Sequence, residues 1–328
     1  MLNPKLFLNQ KMFDHNALQK ATRDGFGDAL VELGTMNKDV VVLTADLSES
    51  TRTEGFEKKF KERFFEVGVA EQNMAAIAAG FAISGKIPFI SSYAVFSPGK
   101  NWETIRTTII YNEANVKIAG HHAGIITGAD GSTHQATEDI AITRVFPGIT
   151  IFVPCDYWEA KKATIESANI KGPVYLRFTR DKTPIITTEK TPFDKDTPQA
   201  YWLSENPKVT LFAFGYMLYY ALLAAKILEQ KGINVLVVNL STIKPANEKE
   251  IVELAKKANR VVTVEDHQVM GGLGSMIAEV LAKFFPTPME FIGLQDTFAQ
   301  SGNPKDLIKQ YKMDEVAIIE AVEKVISR

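Results

Sequence analysis

Val116-Lys-Ile-Ala-Gly120 runs directly into His121-His-Ala-Gly-Ile-Ile-Thr-Gly-Ala-Asp-Gly-Ser-Thr-His134. A short apolar run that opens into a glycine-rich segment reads as a strand followed by a loop, and open parallel α/β sheets place their ligands at such carboxyl ends. Comparable runs stand on either side, at Val40–Thr44, Ile87–Ser91, Ile149–Pro154 and Val174–Phe178. Unbroken apolar runs of this kind suit strands buried on both faces, because a half-exposed strand would alternate. Helical patterns fall between them at about 16–36, 71–85, 97–112, 137–145 and 156–169, the last opening on Asp156 as N-cap behind Pro154. This order predicts a wound, mainly parallel α/β sheet over residues 1–190.

From Asp181 to Lys208 the pattern lapses, and Pro184, Pro192, Pro198 and Pro207 fall in that stretch, so 191–207 is expected to be a linker. The alternation resumes with runs near Val209–Phe214, Val235–Asn239, Arg260–Val264 and Glu290–Gly293 and helical patterns near 217–231, 247–258, 271–285 and 314–327. A second, smaller α/β domain is predicted over 208–328.

Composition narrows the function classes. The chain has 328 residues, with 37 Lys+Arg against 39 Asp+Glu, a balance that gives no reason to expect nucleic acid as a partner. The longest nearly apolar stretch, Met74–Ile83, is half of the ~20 residues that a membrane span requires. The first fifteen residues, through His15, show no apolar core before a small-residue cleavage site, so no signal peptide is expected. The single cysteine, Cys155, excludes an internal disulfide framework and Cys-rich metal sites, and a reducing, cytoplasmic location is the expectation.

Three constellations could carry chemistry. In the loop quoted above, His121, His122, Asp130, Ser132, Thr133 and His134 suit a polyhydroxylated, phosphorylated small molecule. A solvated surface loop is the alternative, and the His-His-x11-His spacing lacks a familiar metal pattern, so no metal site is expected. In Phe65-Glu-Val-Gly-Val-Ala-Glu71-Gln-Asn-Met, Glu71 stands at the head of a helix that carries no charge from Met74 to Gly85. That helix should be buried, with Glu71 at its rim or in an interface, either as a cap that complements the helix dipole or as a proton donor to a heterocycle. Tyr93 and Phe96, in Ser91-Ser-Tyr-Ala-Val-Phe-Ser-Pro-Gly99, lie past the end of a strand, where they could be core or a stacking platform for a flat ring.

Taken together, Glu66-Val-Gly-Val-Ala-Glu-Gln72, Tyr93-Ala-Val-Phe-Ser-Pro-Gly-Lys-Asn-Trp-Glu-Thr-Ile-Arg106, Gly128-Ala-Asp-Gly-Ser-Thr-His-Gln135 and Glu265-Asp-His-Gln-Val-Met-Gly-Gly-Leu-Gly274 resemble the carboxy-terminal half of the transketolase family across nearly the whole chain. The resemblance implies a thiamine-pyrimidine-binding domain followed by a transketolase C-terminal-type domain, and a thiamine diphosphate enzyme that moves a two-carbon ketol unit between sugar phosphates. Glu71 matches the glutamate that bonds N1′ of the aminopyrimidine and favours the tautomer whose 4′-nitrogen can take the thiazolium C2 proton. Tyr93 and Phe96 match the aromatic pocket around the pyrimidine, with Tyr93 where the family often has Phe. Asp46, in Thr44-Ala-Asp-Leu-Ser48, falls where the family has a carboxylate at the cofactor-side subunit contact. His122, Asp130 and His134 match substrate-binding residues, with Asp130 on a hydroxyl, His134 near the reacting end and His122 on the substrate phosphate with Arg180, Arg23 and Ser50. An arginine fork suits phosphate because it can pair bidentately.

The family also holds Mg²⁺ (or Ca²⁺) and the diphosphate with an amino-terminal Gly-Asp-Gly segment and a downstream Asn. No Gly-Asp-Gly occurs here, and Ala129-Asp-Gly131 already belongs to the sugar loop. The resemblance therefore implies a split enzyme, active only with a separate N-terminal subunit, this chain forming a homodimer within a heterotetramer. The corresponding half of 1-deoxyxylulose-5-phosphate synthase resembles the chain around Ala70-Glu-Gln72 and Asp130-Gly-x-Thr-His134. Tyr93–Arg106, Pro154-Cys-Asp156 and Tyr175-Leu-Arg-Phe-Thr-Arg180 look more like split transketolases. The β subunit of a 2-oxo-acid dehydrogenase shares the cofactor glutamate but lacks this His/Asp loop. A non-catalytic regulatory homologue would be expected to have lost site residues, and those expected on this half are present.

Overall fold

The computed structural model describes residues 1–328. Its first part runs β1 (Gln19–Lys20), α1 (Thr22–Met36), β2 (Val40–Thr44), α2 (Glu54–Lys59), β3 (Phe64–Glu66), α3 (Glu71–Ile83), β4 (Ile87–Tyr93), α4 (Trp102–Thr104), β5 (Lys117–His121), α5 (Asp139–Arg144), β6 (Thr150–Phe152), α6 (Tyr157–Asn169), β7 (Val174–Arg177) and β8 (Thr183–Pro184). The second runs β9 (Gln199–Trp202), β10 (Val209–Ala213), α7 (Met217–Gln230), β11 (Val235–Asn239), β12 (Thr242–Lys244), α8 (Glu248–Lys256), β13 (Val261–Gln268), α9 (Leu273–Phe284), β14 (Met289–Leu294), α10 (Pro304–Gln310) and α11 (Glu315–Ile326). The larger sheet has seven strands in the order β12-β6-β7-β5-β4-β2-β3, and the smaller has five in the order β14-β13-β10-β11-β9. Pairing is parallel within both except at the edges β12 and β9. Every residue of β2, β5, β7, β10 and β11 is buried, as apolar runs covered on both faces require.

The two parts are joined more closely than a linker between separate domains would join them. Strand β12, from the second half, pairs antiparallel with β6 and completes the edge of the first sheet. One buried cluster accordingly mixes Val41, Leu43, Met74 and Ile118 with Phe212, Val238, Ile251 and Leu273. The expected linker 191–207 contains strand β9, whose Trp202 pairs with Val237 of β11. Residues 1–13, expected to belong to the first domain, lie against the second: Leu6, Leu8 and Met12 are buried with Tyr201, Trp202 and Leu211. Both corrections have one cause. Short edge strands and apolar anchors at isolated positions carry too little local pattern to be seen before the sheet they complete is known.

Two expected helices also change. The 97–112 stretch is not one regular helix but two wide π-type turns, Val95–Lys100 and Ile105–Ile110, around the single α turn α4. Pro98 offers no amide hydrogen and forces Ser97 into an extended conformation at φ −139° and ψ 101°. Helix α3 buries Met74, Ala75, Ala78 and Ala79 on one face, while Ile83 remains 76% exposed and Ile77 and Phe81 are half-buried. The uncharged helix is therefore covered on one side only.

At the junction of the two parts, the buried Arg177 guanidinium donates from Nε to Asp139 Oδ2 at 2.8 Å, and Tyr175 OH donates to the same oxygen at 2.7 Å. Removing one member of a buried ion pair leaves an uncompensated charge. Asp139→Ala should lower the unfolding free energy by about 3–5 kcal/mol. Urea denaturation followed by circular dichroism measures this, and a loss under ~1 kcal/mol would mean that Arg177 is held by its carbonyl contacts alone.

Candidate active site

The loops that leave β2, β3, β4, β5 and β7 emerge on one rim of the larger sheet, because those strands run parallel. Glu71 opens α3 just beyond β3 and is 2% exposed. A carboxylate in the first turn faces the positive end of the helix dipole, and no other side chain caps this terminus. Its nearest partners come from the segment that carries Tyr93 and Phe96. Lys100 Nζ, on a half-exposed side chain, donates to Glu71 Oε2 at 3.1 Å, and Asn101 Nδ2 donates to the Glu71 carbonyl oxygen at 2.9 Å.

The aromatic rings gather with two of the loop histidines. Tyr93 and Phe96 lie 5.8 Å apart and 13° from parallel. His122 stacks on Tyr93 at 3.7 Å and 21°, and His134 stands edge-on to Tyr93 and Phe96 at 6.0 and 5.7 Å. His122 reaches this place at the end of β5 through a left-handed φ of 54°, with its carbonyl accepting from Thr127 Oγ1 at 2.6 Å. His121, by contrast, is fully buried against Phe26 and Phe178, with Nε2 bonded to Ser91 Oγ at 3.0 Å, and so belongs to the core.

Positive charge collects beside the rings. Arg23 Nη1 donates to the Ser50 carbonyl at 2.7 Å, so Ser50 contributes its backbone, not its hydroxyl, to this contact. Arg180 Nη1 donates to the Thr127 carbonyl at 2.9 Å and lies 3.4 Å from Asp130 Oδ1. Arg52, which the sequence reading passed over, joins them on a loop with φ 64° and pairs with Asp24 at 2.8 Å. Burial, and then the fields of Arg23, Arg180, His134 and Arg52, push the His122 pKa down from 6.5 to about 3. Three guanidinium groups next to a neutral imidazole suit an anion such as a phosphate. Nothing local in Ser48-Glu-Ser-Thr-Arg52 marks Arg52 as part of the site, since its place depends on the left-handed turn.

Asp46 sits on the same rim but toward the β3 edge, with an exposed side chain and its backbone amide donating to Glu66 Oε1 at 2.7 Å. His134 is half-buried, with Nδ1 2.9 Å from Thr133 Oγ1. A buried carboxylate, two near-parallel rings and a cationic patch fit the aminopyrimidine end of a cofactor and a phosphorylated substrate. No group of three or more His, Cys, Asp or Glu side chains is arranged to hold a metal ion.

The chain is similar to known proteins over both of its halves. Residues 19–185 match the family described as transketolase, pyrimidine binding domain, and residues 199–318 match transketolase, C-terminal domain. The chain is 42% identical over 308 residues to a Methanocaldococcus jannaschii protein that carries the name transketolase C-terminal section, covering 94% of this chain and 96% of that one. It is 34% identical to human transketolase over 94% of its own length but only 49% of the human chain. Among solved structures it is similar to a split-gene transketolase described as an inactive beta4 tetramer, with a TM-score of 0.87, 43% identity, and coverage of 94% of this chain and 98% of that one.

The neutral state of His122 is measurable. Its folded pKa lies below its unfolded value, so the unfolded chain binds the extra proton between the two. The resulting stabilisation is complete above about pH 6.5 and is lost as the pH falls toward 3. In an NMR titration the His122 ring resonance should hold its neutral position from about pH 8 to 5. Movement with a midpoint near 6.5 would show that the ring is solvated and far from the arginines.

Proposed function

Because this chain belongs to the transketolase family and forms its carboxy-terminal half, we propose that it is the C-terminal subunit of a split, thiamine diphosphate-dependent transketolase. It transfers a two-carbon ketol unit from a ketose phosphate, such as xylulose 5-phosphate, to an aldose phosphate, such as ribose 5-phosphate. The observation that carries this reading is Glu71, buried at a helix N-terminus and bonded by the same segment that presents Tyr93 and Phe96. Bound thiamine diphosphate supplies a nucleophilic carbon and an electron sink for breaking the bond beside a ketose carbonyl. Glu71 bonds the pyrimidine N1′ and holds a proton there, while Lys100, now on one oxygen of that carboxylate, gives way or shares it. Tyr93 and Phe96 are closer together than the ~7 Å that two van der Waals spacings need, so the pair would hold a flat pyrimidine ring against its side and not between its members. Asp46 is a cofactor-side neighbour at the rim.

The substrate lies along the β5 loop. Asp130 takes a hydroxyl and His134 stands near the reacting carbon as the second catalytic group. His122, Arg180, Arg23 and the Ser50 region take the terminal phosphate. His122 acts there as a neutral donor, leaving charge neutralisation to the arginines. Mg²⁺ or Ca²⁺ and the diphosphate belong to an N-terminal partner subunit that carries the Gly-Asp-Gly segment. The uncovered side of α3, with Ile83 exposed at its end and Val69 exposed just ahead of it, supports a contact with a second copy of this chain, in an assembly of two copies of each subunit. The inactive state of the related beta4 tetramer supports the dependence on a partner. No helix is long and apolar enough to cross a membrane, and a cytoplasmic place of action completes the proposal.

Two outcomes are expected. Glu71→Gln, in the assembled enzyme at saturating cofactor, should reduce kcat by more than about tenfold with an unchanged circular dichroism spectrum, because an amide cannot supply the acid proton. Activity within about threefold of wild type, under ~1 kcal/mol of barrier, would remove Glu71 from the mechanism. The purified chain alone should neither turn over xylulose 5-phosphate nor bind thiamine diphosphate with micromolar affinity in calorimetry with Mg²⁺, and should form sedoheptulose 7-phosphate once the partner is added. Turnover by this chain alone would overturn the split-enzyme reading.

A further inference from the structure

None of the roles above falls to the second domain, yet that domain grips the sugar-phosphate loop, residues 122–135, at both its entry and its apex. Asp266, on β13, is 1% exposed, and its Oδ1 accepts from the Ile125 amide at 3.0 Å. Gly124, with φ 81°, lies directly against that carboxylate: a Cβ there would sit 1.5 Å from Asp266 Oδ2. Only glycine lets the chain pass so close in a left-handed conformation. The Asp266 carbonyl in turn accepts from Arg177 Nη2 at 2.7 Å. At the apex, Ser132 Oγ donates to the Ala299 carbonyl at 2.5 Å and Gln135 Nε2 donates to the Gln300 carbonyl at 3.2 Å. Gly302 N donates to the Gly128 carbonyl at 3.4 Å.

The entry contact leads straight to the anion end of the site. Ile125 begins the short 3₁₀ turn Ile125–Asp130, whose Thr127 holds the His122 carbonyl through its hydroxyl and receives Arg180 on its own carbonyl. The same turn ends on Asp130, the ion-pair partner of Arg180. A shift of Ile125 therefore moves the partners of both His122 and Arg180.

We propose that the second domain sets the geometry of the phosphate end of the site, with Asp266 as the positioning residue that fixes the Ile125–Asp130 turn and the Ala299–Gly302 segment as its outer brace. The consequence for substrate affinity rests on the transketolase reading, whereas the brace itself does not. Asp266→Ala removes the acceptor for the Ile125 amide, while Asp266→Asn retains an oxygen in the same place. Hydrogen–deuterium exchange of the purified chain should show faster exchange over 122–130 in Asp266→Ala, near wild-type exchange in Asp266→Asn, and no change in β2 or β4. Ser132→Ala, which leaves the Arg177 and Asp266 contacts in place, should loosen 128–135 only.

In the two-chain assembly, Asp266→Ala should raise KM for a sugar-phosphate donor roughly tenfold, as expected from one displaced charge-assisted hydrogen bond, with kcat on unphosphorylated hydroxypyruvate within about twofold. Asp266→Asn should restore that KM. Unchanged exchange over 122–130 in Asp266→Ala, or equal losses on phosphorylated and unphosphorylated donors, would overturn the proposal. If Asp266→Ala fails to fold, Ser132→Ala decides the matter alone, and unchanged exchange over 128–135 overturns it. A wild-type assembly without ketol transfer would sink the function proposed above but leave the exchange result standing.

Discussion

One guanidinium group ties the molecule together. Arg177 projects from β7 into the seam between the two domains, bonds the Asp139 carboxylate at the start of α5, and donates to the carbonyls of Ala136 and Asp266. Burying such a charge costs several kcal/mol unless its donors are met, and here the partners come from two separate stretches of chain, Ala136–Asp139 and the strand that carries Asp266. The arrangement holds only when helix, loop end and second-domain strand are all in register. The Phe214 ring, 5.4 Å from the guanidinium carbon, closes the remaining face. Arg177 thus makes the position of the loop that ends at Ala136 depend on the position of the second sheet.

The same seam explains what could and could not be read from the sequence. Buried strands announce themselves: Val40–Thr44 and Val235–Asn239 coincide with β2 and β11 to the residue, because a strand covered on both faces must be apolar throughout. Strand β12 has only three residues and alternates in burial, so nothing in Thr242–Lys244 announces a strand, still less one belonging to the other sheet. The short helices α2 and α10 escaped for a similar reason, being too brief to show a helical period. Leu6, Leu8 and Met12 are ordinary apolar residues until Tyr201 and Trp202 are seen beside them.

At the site, residue types were legible and partnerships were not. The lone carboxylate before an uncharged helix pointed to Glu71, and its burial follows from that context. Its counter-ion Lys100 lies 29 residues away, and their meeting depends on the irregular turns around Pro98. Likewise the pair His121 and His122 looks equivalent in sequence, whereas one ring is turned into the phenylalanine core and the other onto Tyr93. Alternation along a strand and one left-handed residue are enough to separate their roles.

The strand that β12 lends to the first sheet also bears on how the chain is made. A ribosome releases β6 well before Thr242–Lys244 emerges, so the nascent first domain carries an open sheet edge through much of its synthesis. Such an edge can recruit strands from other chains, and long-range pairing of this kind closes slowly. The first half is therefore a poor fragment to express by itself. Cutting the polypeptide between the two family-defined units would strand each half with an unfinished surface, however natural that boundary looks along the sequence.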